Sequence, residues 1–365
     1  MAIANGLPQQ PALPPSSTTI LVTGATGFLA SHIVTEALEL GYTVRGTART
    51  PEKAEKSKEI YGNHSKYFPV VVPDFSIAST EIDEAVKGVD SIVHVASDVS
   101  FSSDPNKVIP AVIQITLNVL RAAAKEPKVK RFTLTSSSVA VIWQNYGGTP
   151  ESTATAESWN DVSVEKAWRT PGPEGWPADQ GGHVYSASKV EGEKALWKFV
   201  KEEKPAFVAN AILPNFNFGR TLPGQSLGGS ASFIPGLYRN NQLPPFPASK
   251  WEILWFLTWM LTNSVHYINV ADTAKLHLAA AVLDDSLENK RIFAFADQFN
   301  WNDVVDSIGR VRPDLKLTVQ KNPGLGRDLT KAPKEVGANL LAKWFGQDGY
   351  KSLDESVKEN LEGIA

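Results

Sequence analysis

Cysteine is missing from all 365 residues, which excludes disulfides, thiol catalysis and cysteine-held metals and fits a reducing compartment. Histidine is scarce as well. The 6 present show no metal-ligand spacing, so no metal is expected. Neither sign of charge dominates: 36 basic against 39 acidic residues leave a net charge of −3, without the basic surplus of a nucleic-acid binder. Long hydrophobic runs are also lacking. The longest, "WEILWFLTWML" from Trp251, falls far short of the roughly 20 residues that span a bilayer. No basic polar face accompanies it, so a buried or pocket-lining helix is expected rather than a membrane-surface one. The start, "MAIANGLPQQPALPPSSTT", has neither the basic residues nor the apolar core of a secretory signal. A cytoplasmic protein with a flexible, proline-rich lead over residues 1–17 is expected.

What is present is an ordinary globular composition, 42% hydrophobic and 21% charged, long enough to bury a sizeable core. From Thr18 to about Phe132 short β-branched runs alternate with helical patterns. "TTILVTG" reads as a buried strand and "FLASHIVTEALELG" as an amphipathic helix. Further strands follow in "YTVRGTAR", "YFPVVVPD", "SIVHVAS" and "KRFTLTSSS". This β-α-β-α rhythm predicts an α/β fold: a doubly wound parallel sheet of the Rossmann type, with helices on both faces. Residues 143–182, rich in Gly, Pro, Thr and Trp, read as a surface excursion. The domain estimate is a dinucleotide-binding unit over 18–214, then a smaller, mostly helical substrate-binding region over 215–365. Some segments of that region are expected to return to the first unit.

Glycines Gly24 and Gly27 in "LVTGATGFLA" stand between a strand and a helix. There they permit a tight turn and let backbone N–H groups approach a pyrophosphate. Thr23, Thr26, Phe28 and Leu29 share that turn and are candidate cofactor contacts. No carboxylate closes the second strand, where an NAD site usually carries one. "VRGTARTPEK" offers instead Arg49, with Lys53 or Arg45 nearby, to a 2′-phosphate, so NADP(H) is favoured over NAD. Asp74 and Phe75 end the third strand, and Ala96 and Ser97 the fourth. Asp74 either accepts from the adenine amino group or caps the following helix. Three serines end the fifth strand, where one hydroxyl would face the nicotinamide. In "YSASKVEGEKALW", Tyr185 and Lys189 lie four apart and share a helix face. The ammonium, with an oxidised nicotinamide, would lower the phenol's pKa and make it a usable proton donor and acceptor.

Taken in order, "VTGATGFLA", "VRGTAR", "HVAS", "RFTLTSSS", "YSASK" and "LPNFNFG" resemble the extended short-chain dehydrogenase/reductase family over nearly all residues from Thr19 onward. "GFLASHI", "VRGTARTPEK" and "ESWN" are most similar to its dihydroflavonol-reductase-like branch, especially fungal and yeast NADPH-dependent aldehyde and ketone reductases. The resemblance implies catalysis by Ser137, Tyr185 and Lys189, with an offset of one among Ser136, Ser137 and Ser138 left open. It also implies that Pro214 and Asn215 pack along the nicotinamide and that Asn118 lies near the site. Ser138 and Val139 replace the Asp-Glu pair of the family's dehydratases, which argues against elimination. The apolar "VAVIW" does not support a flavonoid. Phe101, Val141 and the stretch from Phe216 to Trp259 are expected to line a pocket for an apolar or aromatic carbonyl compound, such as an aryl aldehyde or a β-keto ester. The expected activity is its reduction to an alcohol by a monomer or homodimer, with an isomerising reaction or mere NADP binding as the alternatives.

Overall fold

In strand β1 (Thr19–Val22), Ile20 and Val22 join one hydrophobic cluster while Leu21 joins another. Alternate side chains leave a strand on opposite faces, so this sheet is buried on both. The computed structural model describes residues 7–142, 153–173, 175–225, 229–241, 243 and 265–362. Strands β2 (Thr43–Ala48), β3 (Tyr67–Val71), β4 (Ser91–His94), β5 (Arg131–Thr135) and β6 (Val208–Pro214) complete the first part of the sheet. Their order is β3-β2-β1-β4-β5-β6, and every pairing is parallel. The fold is a Rossmann-type doubly wound sheet, as the strand rhythm predicts. The direction of winding reverses between β1 and β4, and ligands of such sheets bind beyond the strand ends at that reversal.

Helix α1 (Phe28–Glu39) contributes Ala30 and Ile33 to the first cluster. Helices α2 (Pro51–Ile60), α3 (Thr80–Val86) and α4 (Pro105–Lys125) follow β2, β3 and β4 in turn. α4 and, after the short α5 (Asp161–Ala167), α6 (Gln180–Glu203) cover the opposite face through Val119, Leu120 and Leu196. Each such fully buried side chain stabilises the fold by roughly 1.5–3 kcal/mol. α4 alone among the described residues is long and apolar enough to cross a membrane, yet one side of it packs against α6.

Beyond β6 come β7 (Phe216–Phe218), α7 (Phe233–Asn240), β8 (Val265–Asn269) and α8 (Val270–Leu278), which packs beside α1. The chain then returns to the large sheet: β9 (Arg291–Ala294) pairs parallel with β6 as its seventh strand. Strand β10 (Asp297–Phe299) joins β8 and β7 in a separate three-stranded sheet. Helices α9 (Trp301–Val311), α10 (Glu335–Phe345) and α11 (Leu353–Asn360) complete the described chain.

The proline-rich lead differs from its expected flexibility from residue 7 onward. Leu7 is buried, and the Ala12 and Leu13 N–H groups donate to the Leu283 and Val282 carbonyls, both at 2.9 Å. Those carbonyls belong to a single wide turn, Ala279–Leu283, that extends α8. The Tyr42 hydroxyl donates to the Leu13 carbonyl at 2.9 Å and fixes the lead from the other side.

Candidate active site

A cavity of about 1000 Å³ crosses the C-terminal ends of the sheet strands. Its first wall is the turn from β1 to α1. Gly24 sits at φ +66°, a conformation that disfavours any side chain, and its N–H donates to Thr47 Oγ1 at 2.9 Å. Gly24, Thr26, Gly27, Phe28 and Leu29 all line this wall. Thr23 does not reach it. Its Oγ1 accepts from the Val95 and Ala96 N–H groups at 2.9 and 3.0 Å and meets His94 Nδ1 at 2.9 Å. Through these bonds the Thr23 hydroxyl braces the end of β4 against β1.

Arg49 and Lys53 line the cavity beyond β2. Arg49 has no hydrogen-bond or ion-pair partner among the described residues, so its planar fork is available to a phosphate. Arg45 is committed elsewhere, donating from Nη1 to the Ala85 and Lys87 carbonyls, both at 2.8 Å, at the end of α3. Of the carboxylate and ring ending β3, only Phe75 lines the cavity. Asp74 lies outside that lining, and its Oδ1 accepts from both the N–H and the hydroxyl of Ser76 at 2.7 Å. Those bonds hold its carboxyl below the usual range and use it as a turn-former; it does not cap the following helix either, whose N-cap is Ser79. Asn118 anchors the same turn, its Nδ2 donating to the Phe75 carbonyl at 2.9 Å.

Ala96, Ser97, Pro214 and Asn215 form the middle of the cavity. Ser97 Oγ and Asn215 Nδ2 are buried there without a hydrogen-bond partner. Buried polar atoms are rarely left so, and a polar ligand would satisfy both. With an unpaired arginine at one end and a glycine turn over a helix N-terminus between, the lining fits a dinucleotide carrying an extra phosphate.

At the far end Ser137, Tyr185 and Lys189 line the same cavity. Ser137 ends β5 and opens a tight turn, its Oγ accepting from the Val139 N–H at 3.4 Å. The Ser137 hydroxyl lies near enough to the Tyr185 phenol to act on its proton affinity. Ser136 and Ser138 line the cavity as well, but Ser136 Oγ is engaged with Glu193. Lys189 Nζ lies 5.9 Å from the Tyr185 ring centroid and donates to the Thr135 carbonyl at 3.4 Å.

Burial dominates the electrostatics of this end of the cavity. Burial pushes the Tyr185 phenol up, an effect the nearby Ser137 hydroxyl opposes, so in the protein alone the phenol holds its proton. Burial lowers Lys189 to about 8, against the raising effect of Glu193. His94 is fully enclosed, and burial drives it down to about 3, so it stays neutral.

Phe101 and Phe216 line the cavity beside Tyr185, but Val141 does not. The turn Ser138–Ala140 carries Val141 inward to the cluster of Phe132 and Leu134, and Val139 faces the cavity in its place. Phe101 has φ +53°, and its ring centroid lies 4.7 Å from that of Tyr185. The Phe101 carbonyl occupies the space that a Cβ on Gly181, in the first turn of α6, would need. Phe233, Ser230 and Ser232 form the remaining wall. The sequence reading embraced them only within a long segment, because nothing in their spacing marks them. Residues 143–152 and the Trp-rich stretch 251–261 lie outside the described residues.

Comparison with known proteins points the same way. A family model described as the NAD dependent epimerase/dehydratase family matches residues 20–163. An NAD-dependent epimerase/dehydratase of Aspergillus terreus is 37% identical over 351 residues, 95% of this chain and 97% of that protein. Aldehyde reductase 2 of Sporidiobolus salmonicolor is 36% identical over 349 residues, 94% and 95% respectively. Among solved structures, yeast methylglyoxal/isovaleraldehyde reductase Gre2 complexed with NADPH aligns at a TM-score of 0.75 with 25% identity, over 95% of this chain and 98% of that one.

Proposed function

This chain belongs to the NAD dependent epimerase/dehydratase family of extended short-chain dehydrogenase/reductases, and on that footing we propose that it reduces aldehydes or ketones to alcohols with NADPH. The observation that carries the reading is the meeting of Ser137, Tyr185 and Lys189 in the cavity that begins at the glycine turn. The unpaired Arg49 supports NADPH over NADH, and Ser97 and Asn215 offer the hydrogen bonds that hold the cofactor's middle. When bound, NADPH supplies the hydride.

The chain's own residues do the rest. Ser137 and Tyr185 donate hydrogen bonds to the carbonyl oxygen and fix its position. Tyr185 then protonates the oxygen as negative charge builds on it, a contribution of roughly 10²–10⁴-fold. Lys189 keeps a positive charge beside the phenol and stabilises it once the proton has left. Phe101, Phe216 and Phe233 give the substrate end an apolar, aromatic lining, which favours aryl or other apolar carbonyl compounds over sugar nucleotides. A cytoplasmic location, and a monomer or homodimer as the working unit, belong to the same proposal.

A panel of aryl aldehydes, β-keto esters and small aldehydes, followed by NADPH absorbance and product analysis, tests it. One NADPH should be consumed per alcohol formed. Rearranged product with no net NADPH loss would instead assign the isomerising chemistry.

A further inference from the structure

Helix α6 repeats a polar residue every fourth position: Tyr185, Lys189 and then Glu193. Residues so spaced lie along one stripe of a helix. Glu193 does not line the cavity, and only 1% of its surface is exposed. Both of its carboxylate oxygens are nevertheless fully engaged. Oε2 accepts from Ser136 Oγ at 2.6 Å and from Arg291 Nη2 at 3.2 Å. Oε1 accepts from Arg291 Nε at 2.6 Å and from Trp197 Nε1 at 3.0 Å.

Arg291 opens β9 and extends the network outward. Its Nη1 donates to the Ala156 and Ser158 carbonyls at 2.8 and 2.7 Å, and its guanidinium lies 3.9 Å from the Trp159 ring centroid. Asn160 continues it back to the site, its Nδ2 donating to the Val139 carbonyl at 2.8 Å. One buried carboxylate thus joins the end of β5, the helix bearing Tyr185 and Lys189, the seventh strand and the surface excursion. A buried ion pair of this kind adds little net stability over apolar residues of equal volume, so stability alone does not account for it.

We propose that Glu193, acting with Arg291, is a positioning residue for the reductase reaction: it holds the Ser137 strand end against the Tyr185 helix and sets a buried negative charge one helical turn from Lys189. The inference rests on the function proposed above. Each element around Lys189 contributes to its electrostatic setting. Its own helix brings Tyr185 and Glu193, and β5 the Thr135 carbonyl. From β4 comes His94, and from α8 comes His277, whose Nε2 meets Thr135 Oγ1 at 2.8 Å; burial keeps both neutral. Arg291 stands on the far side of the carboxylate. Of these groups only Glu193 is an anion. Ser136 meanwhile places the carboxylate one residue from Ser137, and its own N–H donates to the Ile212 carbonyl of β6 at 2.8 Å.

The test compares wild type, Glu193→Gln, the double variant Glu193→Gln/Arg291→Met and Ser136→Ala. The double variant leaves no orphaned guanidinium and so guards against simple misfolding. In both Glu193 variants kcat should fall on the order of 10–100-fold, the effect of a slight misplacement at the reacting centre, with NADPH Kd unchanged. The basic limb of kcat/KM should move to lower pH in both. Ser136→Ala keeps the carboxylate, and should lower kcat without moving that limb. A double variant with wild-type kcat, or one whose activity falls only with its folded fraction while the limb stays put, overturns the proposal. Should wild type reduce no carbonyl compound, the reductase reading itself fails. The positioning role is then read from an NMR titration of the Lys189 side chain, which must shift to lower pH in Glu193→Gln and refutes the role if it does not.

Discussion

Tyr185 and Lys189 respond to the same burial in opposite directions, the phenol upward and the ammonium down to about 8. Both shifts favour the neutral form, because a low-dielectric setting penalises charge. The consequence for carbonyl reduction has a definite sign. Below about 8 the ammonium is present beside a protonated phenol; as pH rises through that value the ammonium is lost. A pH profile of kcat/KM, which reports the free enzyme, should therefore show a basic limb near 8 in wild type. At the other end of the cavity, Arg49→Ala should raise KM for NADPH strongly and leave KM for NADH nearly unchanged. Equal effects on the two would remove the phosphate role. That Tyr185, Lys189 and Arg49 line the cavity was legible in the sequence because each sits at a fixed offset from a strand or helix end. Asp74 and Val141 were not, because the sequence does not say whether a residue at such an end faces ligand, turn or core.

The glycine turn and the opening of α6 act as units whose small residues set distances. Gly181 lets the Phe101 carbonyl approach the first turn of α6, and that approach keeps the Phe101 ring on Tyr185. Gly181→Ala should push this loop outward, lowering kcat/KM for aryl substrates more than for small aldehydes, while NADPH affinity stays the same. Parallel kinetics on the two substrate classes measure it. The strand-and-helix alternation made the sheet elements readable, since its runs are short, β-branched and buried on both faces. Glu193 stayed hidden for the opposite reason. Its partner Arg291 lies nearly a hundred residues on, and only the pairing of β9 with β6 brings the two together.

That late strand makes the whole molecule one cooperative object, because residues after 285 complete the sheet begun at Thr19. A chain ending at Asp284 lacks β9 and the Arg291 partner of Glu193, and should show no cooperative thermal transition by circular dichroism where the full chain shows one. The docked lead adds to this unity, since Leu7 is buried and the Ala12 and Leu13 hydrogen bonds bind the lead to the turn that extends α8. Composition could suggest only flexibility there, as nothing local in a proline-rich segment announces a distant acceptor. The account as a whole depends on Tyr185 being the proton donor in a cavity that holds NADPH. NADPH binding and aldehyde turnover measured side by side on wild type and Tyr185→Phe test this most directly. NADPH Kd should be unchanged while turnover drops by roughly 10²–10⁴-fold. Wild-type turnover by Tyr185→Phe would contradict it.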